Sequence, residues 1–397
     1  MTNPIVYFVD SEVDSSNNLF DKLHKLFNKT VGSQISTGDR VCLKTHFGKY
    51  GNMAYMRPAL LRKMVDLLKE KGAIVALAET NGLGFSREGL FGGRSTATDY
   101  FVTAAKNGFS IGTMGAPLIL LDGELGIDII DYEFNDGKYL KKAHVARGII
   151  GFDKTIVFTH AKCHGLTGLA GAIKNVGIGM VGKSGKADCH TNIKNGFSIN
   201  QEECLGEKCS KCIKKCPVDC ISFKSGQLSI DSSKCLHCHH CSSICNTEVG
   251  QKAINVEWIS DVEEGVKRIV ESACGVQRFC IERQHDLFYF NLVLDISPVC
   301  DCNNHTPRYI APDIGILASN DPVAIDQASI DLINNQPPMP GTLVKDVAPG
   351  KDKFAVLFGK KTDEGEFKPM NGHRIQIEYA EKMRLGSSHY QLINLEK

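Results

Sequence analysis

The sequence predicts an α/β protein, with a mostly parallel sheet, helices on both faces and a small inserted domain. Three observations support this prediction. Short apolar runs alternate with helical patterns through the first half of the chain. The alternation stops near Lys194 and resumes after about Ala253. Nine of the 16 cysteines lie in the interruption, between Cys204 and Cys245. Since alternating strands and helices build parallel sheets, the two flanking segments are predicted to form one domain.

Each element has a local signature. Short apolar runs predict strands at Ile5–Val9, Asp39–His46, Ile74–Glu79, Thr155–Thr159, Leu287–Ile296 and Ile314–Ala318. A period of 3.6 predicts helices at Leu19–Phe27, Pro58–Lys69, Thr96–Lys106, Gly168–Val176 and Val262–Cys274. Another helix begins at Pro322, with Asn320 or Asp321 as its N-cap and Asp326 bracing it. The charged stretch from Lys360 is predicted to be a terminal β extension.

These elements divide the chain into residues 1–194 and 256–397, which form the α/β domain, and residues 195–255, the cysteine module. With 42% apolar and 23% charged residues, the composition is that of a globular protein. A net charge of +1 gives no global electrostatic reason to bind nucleic acid or a membrane. The chain has no run of 18 apolar residues and no signal-peptide pattern at its start. A cytoplasmic protein is therefore predicted.

The cysteines of the module form two runs of nearly equal spacing, Cys204-x4-Cys209-x2-Cys212-x3-Cys216-Pro217 and Cys235-x2-Cys238-x2-Cys241-x3-Cys245. This resembles bacterial ferredoxins with two 4Fe–4S clusters, in which the last cysteine of each run ligates the other cluster. The resemblance implies one cluster on Cys204, Cys209, Cys212 and Cys245. It implies a second cluster on Cys216, Cys235, Cys238 and Cys241. Tetrahedral zinc is the alternative, because paired cysteines suit that ion as well.

Other residues of the module are predicted to play smaller parts. The first run has four residues where ferredoxins have two, which lengthens that loop without removing a ligand. Cys220 is predicted to be a buried thiol. Three histidines beside the second run are predicted to lie on the surface, namely His237, His239 and His240. The alternative is that they tune the cluster through hydrogen bonds.

A glycine-rich block rich in polar side chains, residues 159–190, immediately precedes the module. Its strand would deliver histidines to the carboxyl edge of the sheet, where ligands bind in such folds. Neutral histidine suits proton transfer near pH 7, and a buried lysine can have a lowered pKa. The predicted catalytic residues are His164, Lys174 and His190, and the predicted cofactor-binding residues are His46, Arg94 and Asn175. The alternative is a structural loop that braces the module.

Two smaller signals leave alternatives open. The segment 91–95, FGGRS, precedes a predicted helix and suits either an anion site on backbone N–H groups or a tight turn. Cys300 and Cys302 follow a predicted strand, and in an extended segment their side chains would point the same way. They could share a metal, form a redox pair or remain two unpaired thiols.

Three motifs resemble a known family. The motifs KTH (Lys44–His46), THAKCHGLTGLAGAIKN (159–175) and PDIGILASNDPVAIDQ (312–327) are similar to the domain of unknown function 362. That family often carries a ferredoxin-like insert in this place, and the resemblance covers essentially the whole chain. It implies a cluster-bearing, redox-linked protein of anaerobic metabolism and does not name a reaction.

A second resemblance is local. The spacing His164-x9-Lys174-x15-His190 is similar to that of nickel-pincer lactate racemases. This resemblance implies that Lys174 tethers a pyridinium-derived nickel cofactor and that His190 ligates nickel. It also implies that His164 acts as an acid or base, with His46 as a further base.

The leading functional hypothesis is an iron–sulfur oxidoreductase that passes single electrons through two 4Fe–4S clusters, to or from a small-molecule site in the α/β domain. The expected partners are an electron donor or acceptor protein and a small anionic ligand, and a further metal or nucleotide-like cofactor is left open. One alternative is a non-catalytic electron carrier that docks to a larger redox partner. The other is an isomerase or racemase with its cofactor tethered to Lys174. Hydrolysis has little support, because the sequence contains neither Gly-x-Ser-x-Gly nor His-Glu-x-x-His.

Overall fold

The structure is a computed structural model that describes residues 3–83, 93–191, 197–361 and 367–396. In chain order its strands are β1 (Ile5–Asp10), β2 (Arg40–Lys44), β3 (Ile74–Glu79), β4 (Leu118–Leu120), β5 (Ile129–Glu133), β6 (Lys142–Ala146), β7 (Lys154–His160), β8 (Lys162–His164), β9 (Gly168–Ala170), β10 (Phe197–Ile199), β11 (Ile221–Lys224), β12 (Gln227–Ile230), β13 (Ile254–Val256), β14 (Asp286–Val293), β15 (Gly315–Ser319), β16 (Gly359–Lys361), β17 (Phe367–Pro369) and β18 (Gln391–Asn394). Its helices are α1 (Leu19–Lys29), α2 (Pro58–Glu70), α3 (Ala97–Lys106), α4 (Ile111–Met114), α5 (Ala172–Gly177), α6 (Lys183–His190), α7 (Lys211–Lys214), α8 (His240–Ile244), α9 (Val262–Glu282), α10 (Pro322–Asn335), α11 (Lys353–Leu357) and α12 (Gly372–Lys382). None of these helices in the described ranges combines the length and the apolar character needed to cross a membrane.

Among the described residues, eight strands form the main sheet, in the order β18-β1-β15-β14-β7-β2-β3-β4. Neighbouring strands are parallel except where β15 pairs with β1 and with β14. One strand therefore runs against the other seven in this sheet of the described chain. The predicted α/β class with a mostly parallel sheet is confirmed.

The sheet is buried on both faces. Along β7, Ile156 and Phe158 belong to one hydrophobic core, whereas Val157 between them belongs to the other. Helices α1 and α2 supply the first core, and α5, α9 and α10 supply the second. Because strands buried on both faces need apolar residues at every position, they read as continuous apolar runs. The predicted strands correspond to such runs.

The order of the strands reverses between β2 and β7. From β2 the chain moves outward through β3 and β4, and it later returns to place β7 on the other side of β2. In open parallel sheets, ligands bind beyond the carboxyl ends of the strands at such a reversal. The residues that follow β2, β3 and β7 are therefore brought to one crevice.

The predicted helix at Gly168–Val176 is wrong in its first half. Gly168–Ala170 is strand β9, which pairs with β8 in a hairpin, and the helix begins only at Ala172. The reason is the carboxylate of Asp326, which accepts the N–H groups of Ala172 (2.7 Å) and Ile173 (3.0 Å). Asp326 was expected to brace its own helix, and it instead caps the start of α5, as an N-terminal carboxylate should.

The predicted β extension from Lys360 is also wrong over much of its length. The described part of this stretch contains helix α12 between the short strands β17 and β18. Gln376, Ile377 and Ala380 are buried on one side of α12, which packs against α9. These positions follow a helical period, and the surrounding charges conceal it in the sequence.

The cysteine module has two short strand pairs, β10 with β13 and β11 with β12. Its small core consists of Cys220, Ile221, Leu228, Cys241 and Ile254. Beside the module, Thr191 and Trp258 form an isolated β-bridge, so the segments that flank it lie next to each other. The predicted boundary between residues 194 and 195 lies outside the described residues. The division into 1–194, 195–255 and 256–397 stays a prediction.

Candidate functional site

A cavity of about 300 Å³, the main cavity, lies at the reversal point of the sheet. Its polar wall follows the carboxyl ends of β2, β3 and β7 and includes the loop after β14. The titratable residues of this wall are His46, Glu79, Arg94, His160, Lys162, His164, Lys174, Lys186, His190, Asp301 and Cys302. Ligand sites in folds of this kind are expected at this edge.

The main cavity brings together six predicted site residues of the α/β domain. They are His46, Arg94, His164, Lys174, Asn175 and His190. Their catalytic and cofactor-binding roles stay predictions. Of the segment 91–95, Phe91 and Gly92 lie outside the described residues, and α3 follows with Thr96 as its N-cap.

The cavity floor is an ion-paired group around Glu79. Its carboxylate lies 3.3 Å from Lys44 Nζ and 2.8 Å from His46 Nδ1. Burial raises the pKa of Glu79, but Lys44, His46 and Lys186 outweigh it and lower the pKa to about 2. Glu79 is therefore an anion at neutral pH. Lys44 also donates to Asn175 Oδ1 at 2.9 Å, which fixes that amide at the cavity wall.

His46 is oriented by partners on both of its nitrogens. Arg94, which can only donate, lies 3.2 Å from Nε2. Nε2 therefore accepts, and the ring proton is placed on Nδ1, facing Glu79. Arg94 also donates to the backbone carbonyl of Cys302 at 3.0 Å. Arg94 thus links the loop after β2 to the loop after β14.

His164 and His190 present opposite tautomers. His164 Nδ1 accepts the N–H groups of Leu166 and Thr167, each at 3.2 Å, so its proton is on Nε2. His190 Nδ1 lies 2.7 Å from the carbonyl of Lys186 and must donate to it, which leaves a lone pair on Nε2. Burial lowers the pKa of both rings, that of His164 to about 4. The neutral His164 ring can donate a hydrogen bond from Nε2, and the His190 ring can accept a proton at Nε2.

Asp301 and His160 carry buried acceptors that face each other. Asp301 Oδ2 lies 3.7 Å from His160 Nδ1, while His160 Nε2 donates to the carbonyl of Leu294. Within the described chain neither Oδ2 nor Nδ1 has a hydrogen-bond partner. The other oxygen of Asp301 pairs with Lys162 Nζ at 2.8 Å. A donor on a bound ligand, or a proton on His160, would satisfy both acceptors.

Lys186 lies at the bottom of the cavity and donates to Thr80 Oγ1 (2.7 Å) and to the carbonyl of Val181 (2.6 Å). Burial lowers its pKa from 10.5 to about 8. The unfolded chain therefore binds more protons between these two pH values, and stability must rise with pH across that window. The contribution of this one group to the rise is about 3 kcal/mol.

The variant Lys186→Met should lack this contribution. We expect the unfolding free energy of the wild type, relative to that of Lys186→Met, to increase as the pH rises from about 8 to 10.5. Urea titrations of both proteins at several pH values measure that difference. A difference that stays constant with pH would show that the ammonium is not destabilised by burial.

The eight predicted cluster cysteines line two smaller cavities in the module, in two sets of four. Within the described chain, set one is Cys204, Cys209, Cys212 and Cys245. Set two is Cys216, Cys235, Cys238 and Cys241, with the buried Cys220 beside them. Each set combines three cysteines of one run with the last cysteine of the other. Cluster ligation by these residues stays a prediction.

The predicted surface position of the module histidines is wrong for two of the three. His239 and His240 are only 2% and 3% exposed. The loop of the second run folds inward because His237 and His239 adopt left-handed backbone conformations, with φ of 49° and 61°. The N–H of His237 thereby points at Cys235 Sγ (3.4 Å). Burial lowers the pKa of His239 to about 4, so its ring is neutral.

The module contacts the α/β domain beside the main cavity. His239 lines the set-two cavity, and its ring packs edge-on against Trp258, with centroids 6.2 Å apart. Trp258 in turn lines the main cavity. Ser184 at the start of α6 donates to the carbonyl of Leu236 at 2.6 Å, and Lys183 contacts His240. This ring pair is therefore one direct contact between the linings of the two cavities.

Sequence reasoning missed several residues of the cavity. Glu79 ends a correctly predicted strand, so its position at the same sheet edge as His46 was an available signal. Lys186 belongs to the glycine-rich block but was not singled out. Trp258 lies beyond the module and has no local motif, because distant contacts bring it to the cavity: the β-bridge to Thr191 and the packing against His239.

Comparison with known proteins identifies the family. The model of the family Domain of unknown function (DUF362) matches residues 41–331. "Ferredoxin 7Fe" of Hydrogenibacillus schlegelii is 32% identical over 65 residues, which cover 16% of this chain and 83% of that protein. A ferredoxin of Alicyclobacillus acidocaldarius subsp. acidocaldarius is 40% identical over 42 residues, which cover 11% of this chain and 54% of that protein.

Among solved structures, the lactate racemase apoprotein from Thermoanaerobacterium thermosaccharolyticum matches with a TM-score of 0.35 and 12% identity. The match covers 73% of this chain and 51% of the racemase chain. A likeness this weak carries no argument about function. The family model, in contrast, spans well over half of the chain, and the protein therefore belongs to the Domain of unknown function (DUF362) family, with a short segment similar to ferredoxins.

Proposed function

We propose that this chain is an iron–sulfur redox enzyme in which a small anionic substrate in the main cavity exchanges single electrons with two 4Fe–4S clusters in the cysteine module. The observation that carries the proposal is a contact between a lining residue of one site and a lining residue of the other. His239 belongs to the set-two cavity, Trp258 belongs to the main cavity, and their rings touch. A non-catalytic carrier would have no need of a polar cavity at that junction.

The cysteine sets fit 4Fe–4S clusters by their chemistry. Each set offers four thiols around a small cavity, and the similarity to ferredoxins supports iron–sulfur binding. Backbone N–H groups point at two of the sulfurs in set two, from Cys220 to Cys216 Sγ and from His237 to Cys235 Sγ, each at 3.4 Å. Hydrogen bonds to sulfur are among the features that set cluster potentials. A bound cluster would supply one-electron transfer.

The charges of the main cavity favour an anionic substrate. Within the described wall the cations are Arg94, Lys162, Lys174 and Lys186, whereas the carboxylates are Glu79 and Asp301. Glu79 is already paired with Lys44, and Asp301 with Lys162. With Cys302 counted as a further anion of the wall, the cations still outnumber the anions, and this surplus is available to a carboxylate or phosphate group in a cavity with low-dielectric walls.

Proton transfer can be assigned to Lys186 and to the two histidines of opposite tautomer. A substrate reduced by electrons from the module also needs protons, and Lys186, whose pKa is lowered to about 8, can supply one, while the Nε2–H of the neutral His164 ring can donate a hydrogen bond to the developing charge. In the oxidative direction the lone pair of His190 Nε2 can accept one. Both rings are neutral at pH 7, which suits general acid–base chemistry.

The proposal is tested by the reoxidation of reduced protein. Protein prepared and reduced without oxygen is mixed with an α-keto acid, an α,β-unsaturated carboxylate and the neutral amide of each, while cluster absorbance is followed. We expect saturable reoxidation by at least one carboxylate and slower reoxidation by its amide. Arg94→Gln should raise the concentration of acceptor needed for half-maximal rate.

Arg62→Gln is the matched control, because Arg62 is half-exposed and pairs with Asp66 on the surface of α2. It should behave like the wild type. The opposite result is reoxidation by protein acceptors but by none of the small molecules, at the same rate in the wild type and in Arg94→Gln. It would support the electron-carrier hypothesis and contradict an enzymatic cavity.

A further inference from the structure

We propose that Cys300 and Cys302 form a reversible dithiol–disulfide couple in the wall of the main cavity, with Cys302 as the attacking thiolate and a small anionic disulfide as the class of substrate. This inference goes beyond the proposed function, and its chemistry does not require the clusters. It therefore stands or falls independently of them.

The geometry of the loop after β14 brings the two sulfurs together. A turn closes when the N–H of Asn303 donates to the carbonyl of Cys300 at 2.9 Å, and the N–H of Cys302 lies 3.4 Å from Cys300 Sγ. The two sulfurs and one ring nitrogen of His164 all lie within 4.8 Å of one another. The turn, rather than the extended segment expected from the sequence, aims both thiols the same way.

The surroundings favour one thiolate and one thiol. Lys174 Nζ lies 3.6 Å from Cys300 Sγ, and it is a buried ammonium. A hydrogen bond from Cys300, together with Lys174 and His164, holds the pKa of Cys302 well below its usual range. The same sulfur–sulfur hydrogen bond and burial raise the pKa of Cys300. Cys302 is assigned as the nucleophile because its residue lines the main cavity whereas Cys300 is buried behind it, and because the thiolate is the reactive form.

A metal ion would fit this group less well than a dithiol. Two cysteines and one histidine do form a catalytic zinc site in some enzymes. Here, however, His164 Nδ1 accepts two backbone N–H groups, so a metal would have to displace those bonds or the proton on Nε2. A metal would also have to lie beside the ammonium of Lys174, which repels it. The group is built to stabilise negative sulfur.

Other cysteines of the α/β domain are protected from the same chemistry. Cys42, Cys163, Cys189, Cys274 and Cys280 are fully buried, and burial raises the pKa of each thiol. Cys302, in contrast, lines the main cavity and is partly exposed. A small reagent in the cavity therefore meets Cys302 first.

The reaction balances without an outside electron donor. The Cys302 thiolate attacks one sulfur of a small disulfide, the S–S bond breaks, and one thiolate leaves. Cys300 then loses its proton to that leaving thiolate and attacks Cys302 Sγ, which releases the second thiolate. The protein is oxidised by two electrons, and the small disulfide is reduced to one thiol and one thiolate.

The test uses three disulfides of similar size and different charge, namely dithiodipropionate, hydroxyethyl disulfide and cystamine, on holoprotein without oxygen. Free thiols are then alkylated and located by peptide mass spectrometry. We expect one Cys300–Cys302 disulfide per chain, reversed by dithiothreitol, and formed about tenfold faster with the dianion than with the dication. Cys300→Ser should stop at a mixed disulfide on Cys302, and Cys302→Ser should not react.

Cys280→Ala is the control, because Cys280 lies beside Phe152 and His285 at the opposite edge of the sheet and should not alter the reaction. The wild-type measurement alone decides the proposal if a variant fails to fold. The proposal would be overturned if no Cys300–Cys302 bond formed at any concentration of the three small disulfides. The proposal would also be overturned if metal analysis found one zinc per chain outside the module and this zinc protected Cys300 and Cys302 from alkylation. A faster reaction with cystamine would overturn the anionic substrate class.

Discussion

Replacing Glu271 with alanine is expected to lower the free energy of unfolding by about 3–5 kcal/mol. Glu271 lies in α9 with 0% of its side chain exposed. Its carboxylate accepts the backbone N–H groups of Lys138 (2.7 Å), Tyr139 (3.0 Å) and Leu140 (2.6 Å), and the hydroxyl of Tyr379 (2.6 Å). Alanine would leave the donors of the buried residues Leu140 and Tyr379 without an acceptor, and each such loss is costly.

Glu263→Ala on the same helix is the matched control. Glu263 is 55% exposed and pairs with Lys267 one turn later. Loss of the Glu263 side chain should lower the free energy of unfolding by at most about 1 kcal/mol, because an exposed ion pair and an acidic residue in the first helical turn each contribute little. Urea titrations followed by circular dichroism compare both variants with the wild type. Similar small losses for both would contradict the role of Glu271 as the joint between the 138–140 loop, α9 and α12.

The second large effect is expected from alanine at cluster cysteines of the two sets. Cys238→Ala in set two and Cys212→Ala in set one should each reduce iron from about eight to about four atoms per chain. Because set two lies against the wall of the main cavity, only Cys238→Ala should abolish reoxidation by a small anionic acceptor. Cys212→Ala should retain it with half of the electron capacity.

Iron analysis and stopped-flow absorbance after reduction measure both effects. Equal loss of reoxidation in the two variants would mean that the route from set two to Trp258 is not the path of the electrons. Full iron retention in either variant would mean that the replaced cysteine is not a ligand.

The fold class and six cavity residues could be predicted because the relevant signals are local. Buried parallel strands are apolar along their whole length, and a glycine-rich polar block follows one of them. The cysteine spacing repeats within one short stretch, and the structure gathers the same eight residues into two sets. Local patterns fail where a distant group decides the conformation. Asp326, far along the chain, determines where α5 begins.

The burial of the module histidines could not be read from the sequence for a similar reason. His239 is held inward by its left-handed backbone and by packing against Phe197 near the start of the module and Trp258 just beyond its end. Trp258 is placed at the main cavity by a bridge to Thr191 and by the N–H of Ile259, which donates to the carbonyl of His190 at 2.9 Å. These contacts depend on the docking of the module, and no run of neighbouring residues encodes them.

The proposed arrangement is two iron–sulfur clusters beside a cavity for an anionic substrate. The clusters can be measured by iron, sulfide and zinc analysis of protein prepared without oxygen, combined with electron paramagnetic resonance after reduction. We expect about eight iron and eight sulfide per chain and the signals of two reduced 4Fe–4S clusters. Iron well below that level, with zinc in the cysteine sets instead, would contradict it.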